Sequence, residues 1–376
     1  MEFLKLMEGW EGYAPVNARR FNEAAIAQAV DLLRNKAGMP SHRWEYQLKE
    51  AITTSDFPEL FGQVLDRQML AGYQAWVPDW AQYCKVGTLK DFRVNNRHKV
   101  FGNDTLLPLV GEKGEYLVAP MGDGKYTIQL AKRGRQFDIS WESLINDAMN
   151  AFGDIPARFS NAAIRTEAWA VTSLFAMSTG PHTSLFGAPI VDVDGANVTN
   201  SGALTLTIAN LETTLLLMSQ QTDANGQPIS VRGVHLVVPP ALEMTARGIL
   251  TSAVYQQTAS AVPVPTVNIL PQMGLKLQVN PYLPIVDTSA NKNTTWYVFA
   301  EPSEGAAIEY ARLLGHESPE ICMKASDKAS VGGGVISPFD GDFATDNIFY
   351  RVRIVGGGTQ LDPRFAYAQD GSGGGT

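Results

Sequence analysis

Between Lys85 and Arg135 the chain changes sign. The stretch holds ten basic and five acidic residues, a net of +5; the whole chain carries −8, so the remainder sums to −13. Seven glycines, at positions 87, 102, 111, 114, 122, 124 and 134, punctuate it, and short runs such as FRV, EYLV and YTIQL lie between them. Alternating runs of this kind read as strand. So many glycines with so few large apolar side chains predict no separate core. The segment is read as a long hairpin or loop projecting from the body. A basic projection on an acidic body favours self-association, with the arm of one copy lying on another.

The remainder excludes several classes. No apolar run approaches bilayer length; Leu215–Met218 is representative. The opening MEFLKLMEGW lacks a signal-peptide apolar region, so no membrane or secretory role is expected. Charged residues are 18% of 376, below the roughly 25% of average domains, which suits a surface covered by partners. Cys84 and Cys322 have no Cys or His neighbour at ligand spacing, so both are expected to be free thiols in a reducing compartment. GxGxxG, Walker, GxSxG and HExxH motifs are absent, and the histidines (42, 98, 182, 235, 316) are scattered. His235, inside GVHLVV, reads as a core residue. Asp192 and Asp194 read as a turn rather than a metal loop, and Gly332–Gly334 as a plain loop. No catalytic, cofactor or metal site is expected.

The remaining pattern is mixed. Asn22 caps a predicted helix over Glu23–Lys36, and a second runs from about Phe57 to Gly72, followed by Tyr73, Trp76, Trp80 and Tyr83. Tyr126–Trp141 reads as strand broken at Gly134. The longest predicted helix spans Asp154–Met177 with Asp154 as N-cap. Phe159, Trp169 and Leu174 are its expected packing residues, on more than one side, with the Trp169 ring buried. Arg158 and Arg165 share one of its faces and could meet phosphates, or pair with Glu142 or Glu167. Residues 183–320 alternate: helix Ile208–Gln221, strand Val234–Val238, helix Ala241–Leu250, strands Leu275–Val279 and Trp296–Ala300. The tail is β, with Asn347–Val355 and a shorter run Arg364–Ala368 after Gly356–Gly358.

Two stretches carry a family resemblance. TIQLAKRGRQFDISWESLINDAMNAFGDIPARFSNAAIRTEAWAV, residues 127–171, places a return strand, an ISxxxLIND turn and an Ala-rich long helix in succession. FYRVRIVGGGTQLDPRFAYAQDGSG, residues 349–373, reads as closing strands. Together with the order of elements, they resemble the major capsid protein of tailed bacteriophages, of the Hong Kong 97-type fold and the Mu-like major head subunit group.

The resemblance implies an α+β fold in five parts: an N-terminal arm (1–84), an extended loop (85–135), a peripheral domain with a spine helix (136–182), an axial domain (183–320), and peripheral strands with the tail (321–376). It implies hexamers and pentamers closing an icosahedral shell around double-stranded DNA, in a virion assembled in the bacterial cytoplasm. Portal, scaffolding and decoration proteins are the implied partners, with non-specific DNA contact at Arg158 and Arg165. Inter-subunit contact falls to Lys99, Lys113, Lys125, Lys132, Arg133 and Arg135. Some relatives crosslink an extended-loop lysine; Lys99, Lys113 and Lys125 qualify by position alone, with no catalytic Glu pocket marked nearby. The competing readings are an encapsulin-like cellular compartment and an α/β enzyme with an unrecognised site.

Overall fold

The computed structural model describes residues 69–102, 106–116, 118, 121–140, 151–259, 262–324, 342–345 and 347–373. The helix expected at Glu23–Lys36, most of that at Phe57–Gly72, the LIND turn, Glu142 and Gly332–Gly334 lie outside them. The chain divides into two compact units. The larger comprises Gly72–Gly134, Ser160–Glu320 and Arg353–Thr376; the smaller contains Arg135–Phe159 and Ile321–Val352 together with Met1–Ala71.

The larger unit is organised by one sheet, in the order Lys276–Val279, Gly233–Val238, Trp296–Ala300, Ala366–Gly373, Ser201–Leu204. Every residue of the central WYVFA strand is buried. Successive side chains of a strand point to opposite faces, and the alternation feeds two cores. Tyr297 and Phe299 join Val237, Ala366 and Ala368 on one face. Trp296, Val298 and Ala300 join Leu236, Val238 and Tyr367 on the other. The first face is covered by Trp80, Tyr83, Val171 and Phe175, with Tyr83 stacked on Phe299 at 5.1 Å between centroids. The second is covered by helices Ile208–Ser219, through Leu211, Leu215 and Met218, and Glu243–Thr251, through Ala246 and Ile249. Thr207 caps the former by accepting from the Asn210 N–H at 3.2 Å.

A second sheet runs Lys85–Leu89, Ile308–Leu313, Asn347–Gln360, Glu320–Met323, with Ala131–Ser140 also paired to Asn347–Gln360. The strand expected to stop before Gly356–Gly358 continues through them to Gln360. These glycines mark close crossings, not a break. A Cβ on Gly357 would collide with the Gln129 carbonyl, and one on Gly356 with the Tyr310 hydroxyl. The break between Gly122–Ile128 and Ala131–Ser140 falls at Gln129–Leu130, ahead of the expected Gly134.

The long helix spans Ala151–Phe175, beginning ahead of Asp154. Its buried residues include a stripe at four-residue spacing, Ala163, Glu167, Val171 and Phe175, with Ser160 beside it and Thr172 widening the packed side. Trp169, two residues from both Glu167 and Val171, lies roughly 200° around the helix from that stripe. Its side is 40% exposed, which corrects the expectation of a buried ring; the Arg133 guanidinium sits over it at 5.1 Å. Leu174 packs partly buried on the first core. In the smaller unit, Phe159 packs on Phe137 (4.8 Å), which stacks on Tyr350 (5.1 Å). The fully buried Glu167 accepts from Arg312 Nε at 3.0 Å and Nη2 at 2.8 Å. Removing one partner of such a pair strands a buried charge. Cys84 and Cys322 are free thiols.

Arg312→Met is expected to lower the unfolding free energy by about 3–5 kcal/mol. Trp169→Ala is expected to cost only about 1 kcal/mol, the value of an exposed cation–π contact. Urea unfolding of the two variants checks the assignment; equal losses would mean the packed face is wrongly placed.

Candidate functional site

The projecting segment is a two-stranded arm. Asn95–Phe101 pairs antiparallel with Gly122–Ile128, setting Arg97 opposite Tyr126, Lys99 opposite Gly124 and Phe101 opposite Gly122. Lys85–Leu89, read as part of the loop, is instead a body strand parallel to Ile308–Leu313, with Lys85 beside Glu309 and Leu89 beside Leu313. The arm proper is therefore shorter than 85–135. Its root is apolar: Leu89, Ile128 and Leu130 cluster with Ala311 and Val355.

Above that root the stem faces its own body with charge. Alternation puts Arg97 and Lys99 on one side of their strand, and exposes His98 and Val100 on the other. Arg97 Nη2 donates to Glu309 Oε1 at 2.6 Å, and the Glu309 side chain is 1% exposed. The Lys99 ammonium donates to Asp192 and Asp362 at 2.6 Å each and to Asp194 at 3.2 Å. The Tyr126 hydroxyl donates to the other Asp192 oxygen at 2.6 Å. Behind these acids lies Arg364, its side chain 2% exposed, donating to Asp192 (2.9 Å), Asp194 (2.8 Å), Asp362 (3.2 Å) and the Thr222 carbonyl (2.8 Å).

Asp192 and Asp194 do sit in a turn, closed by the Gly195 N–H donating to the Asp192 carbonyl at 2.9 Å. Their carboxylates face cations of the chain itself. Among the described residues no set of three His, Cys, Asp or Glu is placed to hold a metal ion. His235 is fully buried, its Nε2 3.1 Å from Glu301. Burial holds its pKa below the usual imidazole value, outweighing the raising influence of Glu301. No helix among the described residues is long and apolar enough to cross a membrane.

The remaining arm residues divide in two. Lys113, Lys125, Lys132 and Arg135 are exposed. The tip exposes apolar side chains: Leu106 (82%), Leu107 (89%), Leu109 (102%), Tyr116, Val118 and Met121. This patch is invisible to a search for a core, because apolar residues are few in the segment, and shows only as a contact surface. Lys99, expected at a neighbouring subunit, instead meets three carboxylates of its own chain. Arg158 and Arg165 are exposed, and Glu167, one of their alternative partners, is occupied by Arg312.

An arm with an exposed apolar tip is consistent with a subunit of a larger assembly, and comparison with known proteins identifies the family. The profile of the phage capsid protein family matches residues 125–369, well over half of the chain. The chain belongs to the phage capsid protein family. Similar solved structures include the capsid of cyanophage P-SCSP1u (16% identity, 77% of this chain and 86% of that one, TM-score 0.45). Others are the capsid of a native gene-transfer-agent (GTA) particle (10%, 78% and 89%, 0.48) and the SrpI encapsulin of Synechococcus elongatus (10%, 79% and 89%, 0.45). No match was found among curated protein sequences. This capsid protein is a structural component of the virion, and the enzyme and cellular-compartment readings give way to a phage shell.

The ionic stem contact has a wide working range. Burial alone would raise the Asp194 pKa, but the Ala196 N–H, Arg364 and Lys99 outweigh it and hold the carboxyl below its usual value. Burial alone would lower the Lys99 pKa; Asp362 and Asp192 outweigh it and raise it. A depressed acid contributes stability above its unfolded pKa and loses it only as pH falls through the lower folded value. A raised base contributes below its unfolded pKa and loses it only above the higher folded value. Stem attachment is thus expected to stay constant from about pH 5 to about pH 9. Amide exchange of Asn95–Phe101, corrected for intrinsic rates, checks this; loosening near neutrality would contradict it.

Proposed function

We propose that this capsid protein is the major head subunit, closing hexamers and pentamers into an icosahedral shell around double-stranded DNA. The α+β architecture, with a projecting arm, a 25-residue helix and a doubly covered sheet, is read as the Hong Kong 97-type arrangement. The stretches at 127–171 and 349–373 support the Mu-like group within it. The parts are assigned as 1–84 for the N-terminal arm, the portion of 85–135 beyond the body strand Lys85–Leu89 for the extended loop, 136–182 and 321–376 for the peripheral domain except the closing strand Ala366–Gly373, which pairs with Trp296–Ala300, and 183–320 for the axial domain. Arg158 and Arg165, exposed on the long helix, are assigned to non-specific contact with packaged DNA. Portal and scaffolding proteins are the expected assembly partners.

The observation that carries this reading is the arm tip. Leu106, Leu107 and Leu109 are each more than four-fifths exposed in a lone subunit, and exposed apolar patches of this kind mark interaction sites. A two-stranded ribbon is marginal in water by itself. The tip is therefore assigned to the surface of a neighbouring subunit, with Lys113, Lys125, Lys132 and Arg135 adding charge contacts to an acidic body. Arg133 contributes less to that contact, since it lies over Trp169.

Replacing Leu106, Leu107 and Leu109 together by Ser is expected to leave the unfolding midpoint within about 2 °C, because exposed side chains contribute little to folding. Closed shells, counted by negative-stain microscopy, are expected to be lost. Reversing Lys132 and Arg135 is expected to weaken assembly in a salt-dependent way, since exposed pairs are screened over about 8 Å at physiological ionic strength. Normal shells from the triple-Ser variant would remove the arm tip as the inter-subunit contact.

A further inference from the structure

Above its apolar root, the stem meets its body mainly through charged and polar side chains. An open cleft of about 340 Å³ lies beside it, lined by Lys85, Arg97, Lys99, Tyr126, Glu309 and Asp362 together with Ala306, Leu361 and Phe365. Among the described residues, the buried apolar clusters include nothing from Asn95–Phe101, and only the terminal Ile128 from Gly122–Ile128. What crosses the gap is a set of short directional bonds from three stem side chains to four acids of the body. One backbone approach accompanies them: a Cβ on Gly124 would lie 2.7 Å from the Val193 side chain and 3.0 Å from its carbonyl oxygen. Only glycine lets the stem lie this close to the Asp192–Asp194 turn.

We propose that Arg97, Lys99 and Tyr126, gripped by Glu309, Asp192, Asp194 and Asp362, form a latch that fixes the direction of the arm on its own subunit before a second copy arrives. The consequence for assembly rests on the reading of the arm as the inter-subunit contact. Apolar contact is non-directional and would let a ribbon slide, whereas bonds to several fixed acceptors define an angle. Arg364 is the positioning residue behind them, holding Asp192, Asp194 and Asp362 where Lys99 can reach all three. An arm held in advance spares each association step the entropy of ordering it.

The test uses the unassembled subunit at low concentration and then the assembly reaction. Lys99→Met combined with Asp362→Asn removes one charge of each sign, so the net charge of the cluster is unchanged, and Asn still serves as the cap that Asp362 provides to Arg364 N–H. Gly124→Val displaces the stem from Val193 without altering any charge. In both variants, hydrogen exchange of the stem strands is expected to rise at least about tenfold, with Trp296–Ala300 unchanged. The yield of closed particles is expected to fall by a similar factor, and Lys99→Arg to retain both properties. Wild-type stem exchange in both variants, or normal particles despite a loosened stem, overturns the proposal. So does faster exchange at Trp296–Ala300 in both, which would make the cluster a general support rather than a latch. If the triple-Ser tip variant assembles normally, the inter-subunit reading falls; stem exchange still decides whether the latch exists.

Discussion

A strand buried on both faces must be covered twice, and most of the larger unit follows from that. Trp296–Ala300 presents Tyr297 and Phe299 one way and Trp296, Val298 and Ala300 the other. The first face draws in the end of the long helix and the Trp80–Tyr83 segment. The second draws in two shorter helices. The chain must pass around both sides of the sheet, and its closing strand, Ala366–Gly373, pairs directly with Trp296–Ala300. The turn before that strand is also where Asp362 and Arg364 are placed. Core packing and the ionic stem contact are therefore coupled through one short piece of chain.

The charge balance was informative, though its first interpretation was too simple. A local +5 against −13 points to complementary surfaces and leaves open whether they belong to one copy or two. Arg97 and Lys99 are paired inside their own subunit, at carboxylates with side chains 1–13% exposed. Such pairs hold geometry more than they add net stability, because desolvation offsets the attraction. The exposed cations, Lys113, Lys125, Lys132 and Arg135, differ from these in burial and are the ones proposed for contacts that salt can weaken.

Legibility followed periodicity. Strand Trp296–Ala300 and helix Ile208–Ser219 were readable because apolar spacing and capping agree there. Trp169 was misread because apolarity was taken for burial; the stripe Ala163, Glu167, Val171, Phe175 includes a carboxylate that only its partner Arg312, far along the chain, explains. Gly356–Gly358 was misread as a stop because a close crossing and a turn demand the same residue. The aspartates of the stem contact were seen as a turn, but spacing cannot disclose that Lys99 and Arg364 converge on them from opposite ends of the sequence.

The arm thus joins two kinds of contact with opposite requirements. Its stem holds one angle, and the buried ion pairs around Arg364 are screened by salt less than exposed ones. On the proposed reading its tip meets a second surface, where exposed leucines would tolerate small shifts because apolar contact depends on area removed from water rather than on bond direction. A shell with both five- and six-membered rings would then combine stiffness where the arm leaves the subunit with tolerance where it lands. The positions that separate the two are Phe101 and Gly122, the last paired residues of the stem, where the Phe101 ring fills the space a Cβ on Gly122 would need. Beyond them, Leu106, Leu107 and Leu109 stay exposed in the lone subunit.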